Sequence, residues 1–189
     1  MRLYLASTSP ARLALLRAAG IEPVLVDPRV DEDAVAAAAG PLGIADAVQL
    51  LARAKAEAVA GTLVNGDAID GVIVGGDSLF ELGGEIFGKP HLPEVAEQRW
   101  RGMRGKTGSL HSGIWAIDHR GGVAAGAAGG VSSARVSFAD LSDDEITAYV
   151  ATGEPLRVAG AFTIDGRGSA YVTGVEGDPH AVVGLSIAL

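Results

Sequence analysis

Short apolar runs that stop at a glycine or a polar turn recur along this chain, and between them lie segments whose apolar residues fall at helical spacing. That alternation predicts a mixed α/β fold. No run is long enough to span a membrane, and 48% hydrophobic content over 189 residues suffices for a sizeable core. One domain over residues 1–189 is expected, with room for two lobes.

Leu3 to Ala6 reads as a short buried strand and Pro10 to Ala19 as a helix ended by Gly20. A second strand is expected over Glu22 to Asp27, then a polar turn through Asp31, Glu32 and Asp33, then an alanine-rich stretch with no structure assigned. Asp46 is placed to cap a helix reaching about Ala60. Val72 to Gly76 reads as a compact strand, and Leu79 to Phe87 as a hairpin turning at Gly83-Gly84. Pro93 to Met103 follows as a helix and Ser109 to Asp118 as a strand with one covered face. Gly121 to Gly130 is low in complexity and suits a loop tip or an irregular hairpin. Ser142 and Glu145 form a capping-box pattern opening a helix that Gly153 closes, and the remainder from Val158 to Leu189 suggests short strands and turns.

The net charge of -8 argues against a long nucleic-acid partner. A small anionic substrate then requires a local basic cluster, or a metal bridging carboxylates to phosphate oxygens. With no cysteine, thiolate metal sites and cysteine nucleophiles are excluded. The apolar N-terminal run is too short for a signal peptide, so a soluble, cytoplasmic protein with no membrane partner is expected.

Three groups of residues suit phosphate chemistry. In Leu5-Ala6-Ser7-Thr8-Ser9-Pro10-Ala11-Arg12 a strand runs through a hydroxyl-rich turn into a helix, whose free amides and Arg12 can meet an anion. A plain cap at Ser9 with a solvated Arg12 fits that segment too. Glu32 and Asp77, the latter expected at the carboxyl end of the Val72 to Gly76 strand, can hold a hard divalent cation and orient a water. An ordinary turn aspartate is the other reading of Asp77. The third group is the lysines: against twelve arginines there are only Lys55, Lys89 and Lys106, so a compact point charge is a reason for lysine where it occurs. Lys55 is expected on the wet side of its helix, and surface lysines are common. Gly105-Lys106-Thr107 looks like the end of a P-loop, but Trp100 stands where that pattern needs glycine. The four scattered histidines lack zinc spacing, and no nucleophile elbow is present, which leaves metal-assisted attack by water.

Taken in order, Leu5-Ala6-Ser7-Thr8-Ser9-Pro10, Val30-Asp31-Glu32, Ala52-Arg53-Ala54-Lys55-Ala56, Gly75-Gly76-Asp77-Ser78, Gly88-Lys89-Pro90, Thr152-Gly153-Glu154-Pro155, Ala159-Gly160-Ala161-Phe162 and Val182-Val183-Gly184-Leu185 resemble the Maf family over nearly the whole chain. The resemblance implies an elongated mixed β-sheet flanked by helices, with two lobes around a nucleotide cleft, as in inosine triphosphate pyrophosphatases. It implies hydrolysis of a nucleoside triphosphate to monophosphate and pyrophosphate, Mg2+ or Mn2+ as cofactor, and a homodimer. Matched by position, Asp77 is the implied catalytic acceptor and metal ligand, Glu32 the second metal ligand, and Ser7, Arg12, Lys55 and Lys89 the triphosphate contacts. Ala11, Ser78 and Asp165 stand where many members have Arg, Thr and Gln, so base preference is expected to differ. An ionised Asp165 accepts hydrogen bonds and donates none, which favours base edges presenting donors. Members commonly continue into a closing helix beyond the position of Leu189. Two alternatives stand beside this reading: a nucleotide-sensing or division-regulating protein without turnover, and a phosphohydrolase acting on monophosphates or nucleotide sugars.

Overall fold

The computed structural model describes residues 1–189. Its strands are β1 (Leu3–Ala6), β2 (Val24–Val26), β3 (Leu63–Val64), β4 (Asp67–Ala68), β5 (Gly71–Leu82), β6 (Glu85–Phe87), β7 (Thr107–Arg120), β8 (Val123–Phe138) and β9 (Val172–Gly177). Its α-helices are α1 (Pro10–Ala18), α2 (Glu32–Ala39), α3 (Ile44–Ala60), α4 (Pro93–Met103), α5 (Asp143–Ala151) and α6 (Pro179–Val183). Seven strands form one mixed sheet in the order β2-β1-β5-β7-β8-β9, with β6 paired to β5. β1 runs parallel to both β2 and β5, whereas the β5–β6 and β8–β9 pairs are antiparallel. The fold is thus the α/β class that the alternation of apolar runs predicts, with the mixed sheet that the family resemblance implies.

The chain forms two compact units. Residues 1–77, 112–132 and 184–189 make the first, and residues 78–111 and 133–183 make the second. In the first unit the two-residue period of the strands divides the core. Tyr4, Ala6 and Ile73 pack with Ala56, Val59 and Ile117, whereas Leu5 and Val74 point the other way, onto Leu16 and Leu185. Helix α3 lies directly on β5. A Cβ at Gly75 would overlap the carbonyl oxygen of Ala52 and come within 2.8 Å of the Ala56 nitrogen, so that glycine admits the helix backbone. The second unit is built around aromatic rings in edge contact: Phe80 with Phe138 and Phe162, and Trp100 with Phe138 and Tyr149. The Trp100 indole N–H donates to the Ala161 carbonyl.

Several elements differ from the sequence expectation. The acidic turn and the alanine-rich stretch form helix α2, with Asp31 as its cap and Glu32 in its first turn. The cap of α3 is Gly43, leaving Asp46 in the first turn, where a carboxylate favours the helix dipole. β2 is shorter than Glu22 to Asp27. Val72 to Gly76 and Leu79 to Leu82 belong to the single strand β5, because Gly75 and Gly76 serve close packing and do not break it. Asp77 therefore lies inside β5 and not at its carboxyl end. Gly121 to Gly130 is a turn at Gly121-Gly122 followed by the regular start of β8. Past Val158 the chain forms two short 3-10 helices, the single strand β9 and the short helix α6, joined by turns. The capping box at Ser142 and Glu145 is present with both reciprocal hydrogen bonds.

Candidate active site

β1 ends on Ala6, and Ser7 follows in the turn before α1. The Ser7 hydroxyl accepts from the Ser9 amide at 3.1 Å and from the Arg12 Nη1 at 3.2 Å. Ser9 caps α1 by accepting from the Arg12 amide, and Pro10 occupies the first turn. Arg12 is buried. Its Nε donates to the Gly184 carbonyl at 2.7 Å, so a residue near one terminus is tied to one near the other. A Cβ on Gly76 would sit 3.1 Å from that Nε, which shows how closely Arg12 lies along β5.

Beside it, Lys55 of α3 places its Nζ 2.7 Å from Asp77 Oδ1 and 2.7 Å from Glu32 Oε1. Lys55 and Asp77 are both buried, whereas the Glu32 side chain is 46% exposed and reaches in from the first turn of α2. The expectation that Lys55 faces solvent is therefore corrected. It shares the packed stripe of α3 with Ala52, Ala56 and Val59, at the spacing of one helix face, and its two carboxylate partners offset the cost of that burial. Ser7, Arg12, Glu32, Lys55 and Asp77 thus form one cluster within the first unit.

Burial pushes the Asp77 carboxyl above the ordinary aspartate range. The Lys55 and Arg12 cations pull it back only in part, and Glu32 adds to the rise. Burial likewise lowers Arg12, against the pull of Asp77 and Glu32. Such a carboxylate is a better proton acceptor than a solvated one, and two cations within reach of it can meet anionic oxygens. Two carboxylates sharing one ammonium are also hard oxygen donors of the kind Mg2+ or Mn2+ takes together with water and phosphate oxygens. No group of three or more acidic or histidine side chains gathers anywhere in the chain to hold a metal by itself.

The remaining candidates are placed as follows. Ala11 is half-buried in α1, and Ser78 is half-buried in β5 next to Asp77. Lys89 is exposed between β6 and α4, and Asp165 is exposed in a turn before a short 3-10 helix; both belong to the second unit. Gly105-Lys106-Thr107 leads into β7 from a left-handed glycine, as a turn. Sequence reasoning missed the Gly184 carbonyl as the acceptor for Arg12. A main-chain oxygen carries no residue-type signal, and only the Val182-Val183-Gly184-Leu185 motif marks the place.

Comparison with known proteins places the chain in a family. A family model described as "Maf-like protein" matches residues 2–189. A protein of Leifsonia xyli subsp. xyli named nucleoside triphosphate pyrophosphatase is 63% identical, over 100% of this chain and 89% of its own length. Proteins of the same name from Nocardia farcinica and Saccharopolyspora erythraea are 50% and 46% identical, over 99% and 100% of this chain and 88% and 90% of their own lengths. A family model that spans residues 2–189, together with relatives 46–63% identical over nearly all of this chain, shows that the chain belongs to the Maf-like protein family.

Proposed function

We propose that this protein hydrolyses nucleoside triphosphates to the monophosphate and pyrophosphate. The observation that carries it is the buried cluster in which Lys55 bridges Asp77 and Glu32 beside Arg12 and Ser7. The names of its relatives support the same reaction.

Asp77 orients a water and takes its proton as the water oxygen bonds to the α-phosphorus. The α–β anhydride bond breaks, and its electron pair leaves on pyrophosphate. Burial, which raises Asp77, suits it to hold that proton. Arg12, Lys55, Lys89 and the Ser7 hydroxyl contact the triphosphate, and the amides opening α1 add a positive dipole end. Asp77 and Glu32 would hold Mg2+ or Mn2+, whose contribution when bound is to neutralise charge on the phosphate oxygens. Every other component is positioning and fixed charge on the protein.

Ala11, Ser78 and Asp165 tune the choice of base, and non-standard nucleotides fall within the proposed range. A homodimer in the cytoplasm is the working state implied by the family resemblance. No helix is long and apolar enough to cross a membrane.

The test is product analysis with normal and modified nucleoside triphosphates in Mg2+, Mn2+ or EDTA, run beside Asp77→Asn. Metal-dependent pyrophosphate and monophosphate, lost in the variant, is the expected result. Binding without products would make the protein a nucleotide sensor, and orthophosphate as the released product would make it a different phosphohydrolase.

A further inference from the structure

The turn that carries Asp165 is held at both ends by one hydrogen-bonded relay centred on the half-buried Glu154. Glu154 accepts the Arg167 amide on Oε2 at 2.9 Å and the Gly168 amide on Oε1 at 2.8 Å. Oε1 also accepts the Tyr149 hydroxyl at 2.9 Å, and the same phenol takes a backbone hydrogen bond from Thr163. Tyr149 is itself fixed, 2% exposed and in edge contact with Trp100 and Tyr171. The fit leaves no room for side chains. A Cβ at Gly166 would lie 2.6 Å from Glu154 Oε2, and one at Gly168 would lie 2.5 Å from the Tyr149 hydroxyl.

Inside the clamp, Thr163 Oγ1 donates to Asp165 Oδ1 and accepts from the Asp165 amide. One carboxylate oxygen is thus turned onto the chain, and Oδ2 is left as the outward acceptor of an exposed residue. Glu154 must satisfy three donors with two oxygens. A glutamine would turn an NH2 group onto at least one of them, so the clamp specifically requires a carboxylate.

We propose that Glu154, acting through Tyr149 and the 163–168 turn, is the positioning residue that sets which oxygen Asp165 presents to the nucleobase, and so governs selection of bases by their N–H donors. This rests on the nucleotide site of the pyrophosphatase reading. It assigns to the Glu154 of the Thr152-Gly153-Glu154-Pro155 motif a part in base choice, separate from the phosphate cluster of the first unit.

The experiment measures equilibrium binding of the non-hydrolysable α,β-imido analogues of ATP, GTP, CTP and UTP with Mg2+, together with turnover of the parent nucleotides. The proteins are the wild type, Glu154→Gln, Tyr149→Phe, Asp165→Ala and the Glu154→Gln/Asp165→Ala double variant. The readout is the ratio of tightest to weakest affinity. Wild type should discriminate, and each single variant should reduce that ratio by about tenfold, the scale of one charge-assisted hydrogen bond. The double variant should fall no further than Asp165→Ala, with the loss for the preferred base appearing in KM more than in kcat. Equal weakening of all four nucleotides in Glu154→Gln and Tyr149→Phe, with the ratio kept, would show a purely structural clamp and overturn the proposal. So would a wild type that binds all four alike, or an unchanged ratio in Asp165→Ala. Tyr149→Phe, which keeps the ring contacts, decides if Glu154→Gln does not fold. Absent turnover with the expected shifts in binding would sink the pyrophosphatase reading and leave this inference standing.

Discussion

Lys55 and Asp77 make opposite predictions about charge removal. Replacing Lys55 with methionine leaves Asp77 buried without its nearest cation, and breaking such a pair from one side costs about 3–5 kcal/mol. Urea unfolding of Lys55→Met should show a loss on that scale together with lost turnover. Asp77→Asn differs, because its amide oxygen still accepts from Lys55 while a charge that burial disfavours is removed. Its melting temperature at neutral pH should be no lower than that of the wild type, even as pyrophosphate release is abolished; a clearly lower value would mean that the Asp77 charge holds the fold together. Residue types and motifs were enough in the sequence to single these residues out, and the structure brings them together. Their burial was not. Lys55 was read as wet because lysine rarely enters an apolar stripe, and the carboxylates that permit it to do so lie on elements distant in sequence.

Among the elements, β5 and α3 are coupled at one atom's width. Gly75→Ala would press a methyl group into the helix backbone at Ala52 and Ala56, which cannot swing aside as a side chain can. The expected cost is about 1–3 kcal/mol in denaturant unfolding, and turnover should fall with it, since α3 carries Lys55. The same contact explains why the strand was divided in two from sequence. Gly75 and Gly76 look like breakers, and only the approach of α3 and Arg12 shows that they are spacers inside a continuous strand. Helices with local signals were legible to within a residue or two: Pro10 and Ser9 for α1, and Ser142 with Glu145 for α5. Helix α2 was missed because its packing partner is α3 and its own pattern is nearly uniform alanine. The Gly121 to Gly130 run hid a strand for the same reason, since alternation cannot be read where all side chains are small.

For the whole molecule, acid stability offers a test of the relay around Glu154. Burial alone would raise that carboxyl, but the amides of Arg167 and Gly168 and the Tyr149 hydroxyl outweigh it and hold Glu154 below its ordinary value of 4.5. A lowered folded value contributes stability above the unfolded value, and that contribution is lost as pH falls through the folded one. Glu154→Gln should therefore show a shallower loss of unfolding free energy than wild type as pH drops below about 4.5, measured by denaturant titration at stepped pH. Fold class and the ordered motifs were legible at this scale from alternation and resemblance. The sheet order was not, because β1 sits between β2 and β5, a pairing no local pattern encodes. The first unit is also assembled from three separated stretches, and Leu185 packs against Leu5 and Leu16 while Gly184 receives Arg12. During synthesis on a ribosome every residue of the second unit emerges before Gly184, so the second unit is complete while Arg12 still awaits that carbonyl. A fragment released from the ribosome and ending at Val183 should therefore protect its second unit from protease and leave its first open.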